Sequence, residues 1–293
     1  MKTTRAFTTG VLAVCLAGAA DAQQGVDWKA VEAAMGRAGV AQPGDVYRFS
    51  FPRGDMHVTA AGVEVKPAFA LGGWAAFKPV SGGVLVMGDL VLADDEVTPV
   101  ITALQKGGVE QMAIHHHILH ESPTVYYVHI HAMGDPVAIA RTIQGAVALT
   151  KAPPPSPPAT AAPFGLDTLQ IAQALGYTGR INGGVYQVAV PRAETIRDGG
   201  VEIPPTMGLA SAINFQPTGD GRAAIAGDFV MVAAEVNPVI RALRDNGIEA
   251  ISLHSHLLTE EPRLFFMHFW ANDDAVKLAR GLKAALAQTN SKH

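Results

Sequence analysis

Cysteine is almost missing from this chain: Cys15 is the only one among 293 residues, and it lies in an apolar run near the N-terminus. A chain with one thiol forms no internal disulfide and offers no Cys-ligated zinc cluster. Charge is scarce as well, at 16% of residues, and acids outnumber bases 26 to 22. That balance gives no basic footprint for nucleic acid or anionic lipid. The sequence also lacks a phosphate-cradling glycine loop, a Gly-X-Ser-X-Gly elbow and a His-Glu-X-X-His helix, so neither nucleotide use nor serine hydrolysis is expected. What remains, at 48% hydrophobic residues, is the composition of a soluble globular protein of about two domains.

The N-terminus reads as an export signal. Lys2 and Arg5 precede an apolar run from about Val11 to Ala19, and Ala20-Asp21-Ala22 follows as a small-residue cleavage pattern. This predicts a signal peptide over residues 1–22 and a periplasmic or secreted product, since the run is shorter than the ~20 residues that span a bilayer. Cleavage would remove Cys15 and leave no thiol, and Val14, in place of a small residue, argues against lipid attachment at that cysteine. The formal charge of −4 becomes −5 once Lys2, Arg5 and Asp21 leave.

Comparing the chain with itself exposes its organisation. Gly108–Arg141 matches Gly247–Arg280 at a constant offset of 139, with 13 of 34 positions identical. Upstream, "VYRFSFPR" pairs with "VYQVAVPR" and Gly88-Asp89 with Gly227-Asp228. A period this long indicates a domain used twice rather than a solenoid. The expected division is a first repeat over 25–150, a linker over 151–163 ("KAPPPSPPATAAP"), whose prolines favour extended polyproline II, and a second repeat over 164–290. The two copies could pack as a pseudo-dimer.

Each repeat is expected to follow the order α-β-β-β-α-β-β-α, an α+β fold with an antiparallel sheet. The first helix is placed at Trp28 to about Met35 and at Leu166 to Leu175 in the two copies. Thr98-Pro99 and Asn237-Pro238 look like N-caps followed by a first-turn proline, with Gly107 and Gly247 closing those helices. Two strands follow, at about Gln111–Leu119 and Val125–Ala132, and then a helix from Asp135.

Six of the eleven histidines fall in "AIHHHILHESPTVYYVHIH", residues 113–131. Alternation along a strand puts His115 with His117 on one face, and likewise His129 with His131. A hairpin centred on Pro123 would set His115 opposite His131 and His117 opposite His129, four imidazoles on one patch. Opposite Cβ atoms are ~4.5–5.5 Å apart and zinc holds imidazole nitrogens at ~2.0–2.1 Å, so three or four rings could share an ion. The second copy supplies His254, His256 and His268 at matching positions, with Trp270 where His131 stands. The expectation is one metal site per repeat, the second weaker or more open for want of a fourth histidine. Clustered imidazoles without an ion repel one another on protonation, which gives the pattern its chemical meaning.

Other residues carry weaker signals. His116, His120 and His57 have no histidine partner in the second copy and read as surface residues. Glu121 and Glu260 read as solvated turn residues, and Asp89 and Asp228 as turn formers. Glu110 and Glu249 could accept a bond from a ligand imidazole, and Arg53 and Arg192 suggest structural ion pairs. No catalytic residue is identified.

The segments "AIHHHILHESPTVYYVHIHAMGDP" and "SLHSHLLTEEPRLFFMHFWANDD" resemble the LppY/LpqO family, exported bacterial proteins of unknown function with lipoproteins among them. The resemblance spans nearly the whole mature chain and implies export, without implying an activity. This chain departs from the lipoprotein members in lacking a suitable cysteine. Three functions remain open: a periplasmic protein binding zinc or copper through its histidines, a metal-dependent hydrolase with an open three-histidine site, or a metal-free module for a small ligand or partner.

Overall fold

The computed structural model describes residues 25–154 and 163–292. The proposed signal peptide and the centre of the proline-rich linker lie outside the described residues. The first repeat runs α1 (Trp28–Met35), β1 (Val40–Gln42), β2 (Val46–Pro52), β3 (Thr59–Ala60), β4 (Val63–Glu64), α2 (Pro67–Ala70), β5 (Gly72–Val80), β6 (Gly83–Ala93), α3 (Asp94–Lys106), β7 (Glu110–His115), β8 (Glu121–Ser122), β9 (Val125–Gly134) and α4 (Pro136–Val147). The second repeats this course with α5 (Thr168–Leu175), β10 (Arg180–Asn182), β11 (Val185–Pro191), β12 (Arg197–Asp198), β13 (Val201–Glu202), β14 (Ala210–Gly219), β15 (Arg222–Val232), α6 (Ala233–Asp245), β16 (Glu249–His254), β17 (Leu264–Asp274) and α7 (Ala275–Leu286). A 3-10 turn at Pro205–Met207 stands where α2 stands in the first copy.

Each repeat builds a six-stranded antiparallel sheet, ordered β1-β2-β5-β6-β9-β7 and β10-β11-β14-β15-β17-β16. The expected α+β architecture in two copies is what the chain adopts. Alternation along the central strands then decides the layers. On β9, Val128, Ile130 and Ala132 join Val31, Phe77 and Ile143 in a core under the helices. On β17, Met267, Phe269 and Ala271 do the same with Leu175, Phe229 and Leu282. The opposite faces of the two sheets bury each other: Trp74, Leu85 and Met87 pack with Met207, Leu209 and Phe266. Phe69, Leu71 and Tyr127 likewise pack with Val185, Ala226 and Trp270. The result is four layers, helices outside and two sheets face to face.

Polar contacts fix the two halves in register. Gln216 accepts from the Lys66 amide at 2.9 Å and donates to the Glu64 carbonyl at 2.6 Å, while Ser252 donates to the His116 carbonyl at 2.7 Å. Gly227 allows β14 and β15 to meet, because a Cβ there would sit 1.9 Å from the Ala212 carbonyl oxygen.

Helix starts are set by carboxylates. Asp27 accepts from the amides of Lys29 and Ala30 and Asp167 from those of Leu169 and Gln170, so the second copy's first helix begins at Thr168, not Leu166. α3 and α6 begin about five residues before the expected Thr98 and Asn237, leaving Pro99 and Pro238 inside the helix. The cause is Glu96, which turns back to accept from the Ala93 amide at 2.9 Å, as Glu235 does from Val232.

The same glutamates receive the buried arginines. Arg53, 2% exposed, donates to Glu96 at 2.6 Å, to Asp55 at 2.8 Å and to the Val91 carbonyl at 2.7 Å. Arg192 repeats the set with Glu235, Glu194 and the Val230 carbonyl. These are the structural ion pairs read from the sequence. Arg53→Ala leaves Glu96 buried and uncompensated, and the expected loss is ~3–5 kcal/mol in urea unfolding; a loss under ~1 kcal/mol would show the pair to be dispensable.

Candidate metal centre

The clustered histidines form a polar region between the sheets. His115 ends β7, His117 lies two residues beyond it, and His129 lies mid-strand in β9; His254, His256 and His268 take the matching places around β16 and β17. All six point toward the opposite repeat. His115, His129, His256 and His268 are 9%, 3%, 6% and 3% exposed.

The expected hairpin register does not form. His115 pairs with Tyr127 rather than His131, and Glu110 is the residue opposite His131. A bulge between Gln111 and Ala113 shifts the register, and the second copy repeats it between Ala250 and Leu253, pairing His254 with Phe266. The strand expected to reach Leu119 also stops at His115. Beyond it β8 pairs with β3 instead, while Glu121 accepts from the Val125 amide at 2.9 Å. Glu260 closes the equivalent loop on the Leu264 amide at 2.8 Å. These two glutamates are thus buried loop closers, not solvated turn residues.

The departure from the sheet lets the rings meet across the interface instead of within each repeat. His115 stacks on His254 with ring centroids 3.9 Å apart. His117 stacks on His268 at 3.8 Å, and His129 lies against His256 at the same 3.8 Å. Those two contacts exchange under the swap of repeats, so the cluster has a pseudo-twofold axis passing between His115 and His254. The two histidine sets expected from the sequence therefore lie against each other in one cluster between the repeats.

His131 stands apart from it. Its Nδ1 lies 3.7 Å from Glu110 and its Nε2 3.4 Å from Asp198 of the other repeat. Trp270, in the matching place, packs edge-on against Phe69 at 5.9 Å. The expected inequality between sites rested on His131 as a fourth ligand and loses its basis. His57 and His120 are exposed and His116 half-exposed, as anticipated.

Two aspartates that the sequence reading gave to turns are part of the cluster. Asp89 lies within β6 opposite His129, and Asp228 within β15 opposite His268, both on the inner face. Asp89 Oδ2 is 3.5 Å from His117 Nε2, and Asp228 Oδ2 is 3.1 Å from His256 Nε2. The signal for them was in the sequence: a Gly-Asp pair repeated at the same offset of 139 as the histidines.

Burial governs the electrostatics. It lowers His115 to about 2, reinforced by His254 and His256, and lowers His256 to about 3. It lowers His254 to about 4, partly opposed by Asp228. His117, His129 and His268 lie well below the usual imidazole range, first through burial and then through neighbouring histidines. The carboxyls move the other way: burial raises Asp228 to about 7 and puts Asp89 well above the usual range, with Asp228 adding to the latter. The rings are therefore neutral lone-pair donors at physiological pH.

Backbone carbonyls set two of the tautomers. His268 Nδ1 donates to the Gly227 carbonyl at 2.8 Å and His256 Nδ1 to the Gly208 carbonyl at 3.0 Å, so both Nε2 lone pairs face the cluster. His268 Nε2 lies 3.1 Å from His115 Nε2. Tetrahedral zinc with ~2.05 Å bonds separates its ligand nitrogens by ~3.3 Å, close to that spacing. Four sets of ligand atoms converge within 4.8 Å: His115-His117-His268, His115-His129-His254, Asp89-His117-His129 and Asp228-His254-His256. The chain thus contains histidine and aspartate clusters that could hold a metal.

A duplicated α+β protein with a His/Asp centre between its halves is the class this structure defines. The chain belongs to the family described as Domain of Unknown Function (DUF1259), whose profile matches residues 29–149 and again 169–288. No curated protein matches it. Among solved structures it is similar to the trimeric bacterial microcompartment shell protein PduB, at 11% identity and a TM-score of 0.23, over 86% of this chain and 90% of that one. It is also similar to EtuB from Clostridium kluyveri, at 11% identity and a TM-score of 0.19, over 85% of this chain and 90% of that one. Neither likeness bears on function.

Proposed function

We propose that this is an exported protein that binds a first-row transition metal, zinc or copper, at the centre shared by its two repeats. One observation supports the reading above the others. Asp89 Oδ1, His115 Nδ1, His117 Nε2, His129 Nε2, Asp228 Oδ1, both His254 nitrogens and His256 Nε2 are buried without a hydrogen-bond partner. Buried polar atoms are rarely left so, and an ion at their focus would satisfy them together. Imidazole and carboxylate donors without thiolate suit Zn²⁺ and Cu²⁺, and the Irving–Williams order favours copper where both are free. Burial between two sheets suits holding or transferring an ion better than turning over a bulky substrate. Export rests on the N-terminal sequence, and among the described residues no helix is long and apolar enough to cross a membrane.

After saturation with zinc or copper and exhaustive dialysis, elemental analysis of the full chain is expected to find one to two ions per molecule. Absence of stoichiometric metal with either ion would overturn the reading and return the protein to the metal-free binding modules.

A further inference from the structure

The centre holds more ligands than one ion can use. Six imidazoles and two carboxylates exceed the four donors of a typical zinc site, and they fall into two sets of four that exchange under the pseudo-twofold. The first set contains His115, His117 and His268, whose ligand atoms converge, with Asp89 3.5 Å from His117. The second contains Asp228, His254 and His256, which also converge, with His129 packed 3.8 Å from the His256 ring.

From this pairing, and resting on the metal-binding reading above, we infer that the protein holds two metal ions in adjacent sites, each built from three ligands of one repeat and one histidine of the other. One ion takes Asp89, His115 and His117 with His268. Its partner takes Asp228, His254 and His256 with His129. The stacked pair His115–His254, at 3.9 Å on the axis, makes the two sites neighbours. His129 also converges with Asp89 and His117 of its own repeat, but its ring lies nearer His256, at 3.8 Å, than His117, at 6.5 Å, which favours the crossed assignment. His129 and His268 sit on β9 and β17, next to the sheet-edge strands β7 and β16, and each faces the loop carrying the other repeat's second histidine. Two divalent ions also give the two buried carboxylates the compensating charge that the described residues around them do not fully supply. The function implied is a paired-ion centre that ties the repeats together.

Cobalt(II) is the probe. Equilibrium dialysis of the full chain is expected to give two cobalt ions, and the paramagnetic signal of the first should broaden or weaken as the second binds. The ligand assignment is read from two double variants. His115→Ala with His268→Ala removes two ligands of one ion and should leave one cobalt bound. His254→Ala with His268→Ala damages both sites and should weaken each by more than the ~10–100-fold typical of an outer-shell partner. The reverse pattern would mean that each ion is held within its own repeat, and the crossed assignment would fall. One cobalt per wild-type chain, or two without magnetic interaction, would overturn the paired centre while the metal-binding reading stood. No cobalt, zinc or copper at all would end both. The wild-type stoichiometry and coupling decide the matter even if a variant fails to fold.

Discussion

Metal-free protein is expected to lose stability steeply as the pH falls from 7 to 5. The six clustered histidines have folded pKa values below the ~6.5 of an unfolded imidazole. As pH falls through 6.5 the unfolded chain gains protons that the folded chain refuses, so their contribution is a loss of stability at acid pH. Asp89 and Asp228 act in the opposite sense, because their raised folded values make them destabilising as pH rises from ~3.8 toward and above 7. Near pH 5.5 the three rings held at about 2, 3 and 4 (His115, His256 and His254) take up ~3 protons on unfolding and Asp228, held at about 7, releases ~1; His117, His129 and His268 add to the uptake and Asp89 to the release. The net slope from those four groups is then ~2 kcal/mol per pH unit, against a typical total of ~5–15 kcal/mol. Urea midpoints in the presence of a chelator at pH 7.5, 6.5 and 5.5 would measure it. A midpoint that stays flat across that range would mean the rings take up protons freely in the folded state, and the closed centre described above would be wrong.

Zinc should reverse the loss, and Asp228→Asn should separate the two effects. At 1,000 times its dissociation constant one bound ion adds ~4 kcal/mol, or a rise in Tm of roughly 8–16 °C for a chain of this size. In Asp228→Asn the metal-derived rise should shrink, since the centre loses one of its two carboxylates. The metal-free variant at pH 8, however, should be at least as stable as the parent. A carboxyl with a folded value of about 7 costs stability there that an amide does not. Scanning calorimetry of both proteins, with and without zinc, tests the pair of signs. A variant less stable without metal and unchanged in its response to zinc would show Asp228 to be a structural residue.

Much of this was open to the sequence and some was not, and the division follows the range of the interactions. Strand alternation and helix capping are local, and the repeat at an offset of 139 shows in the chain's match to itself, so the duplicated α+β architecture and the six histidines are legible directly. The helix starts at Asp94 and Ala233 were missed because Glu96 and Glu235, reached by buried arginines about forty residues upstream, outweighed the Thr-Pro and Asn-Pro signal. The hairpin register was missed because a bulge at Met112 costs little locally and is selected by what the strand must face. For the same reason His131 fits a hairpin by spacing yet stands apart from the other histidines, and Asp89 and Asp228 lie within strands where the Gly-Asp pair suggests a turn. Which rings meet which depends on two sheet faces closing on each other. The sequence alone determined that there would be two sets of imidazoles. Only the burial of one repeat's inner face against the other's decided that they form a single centre.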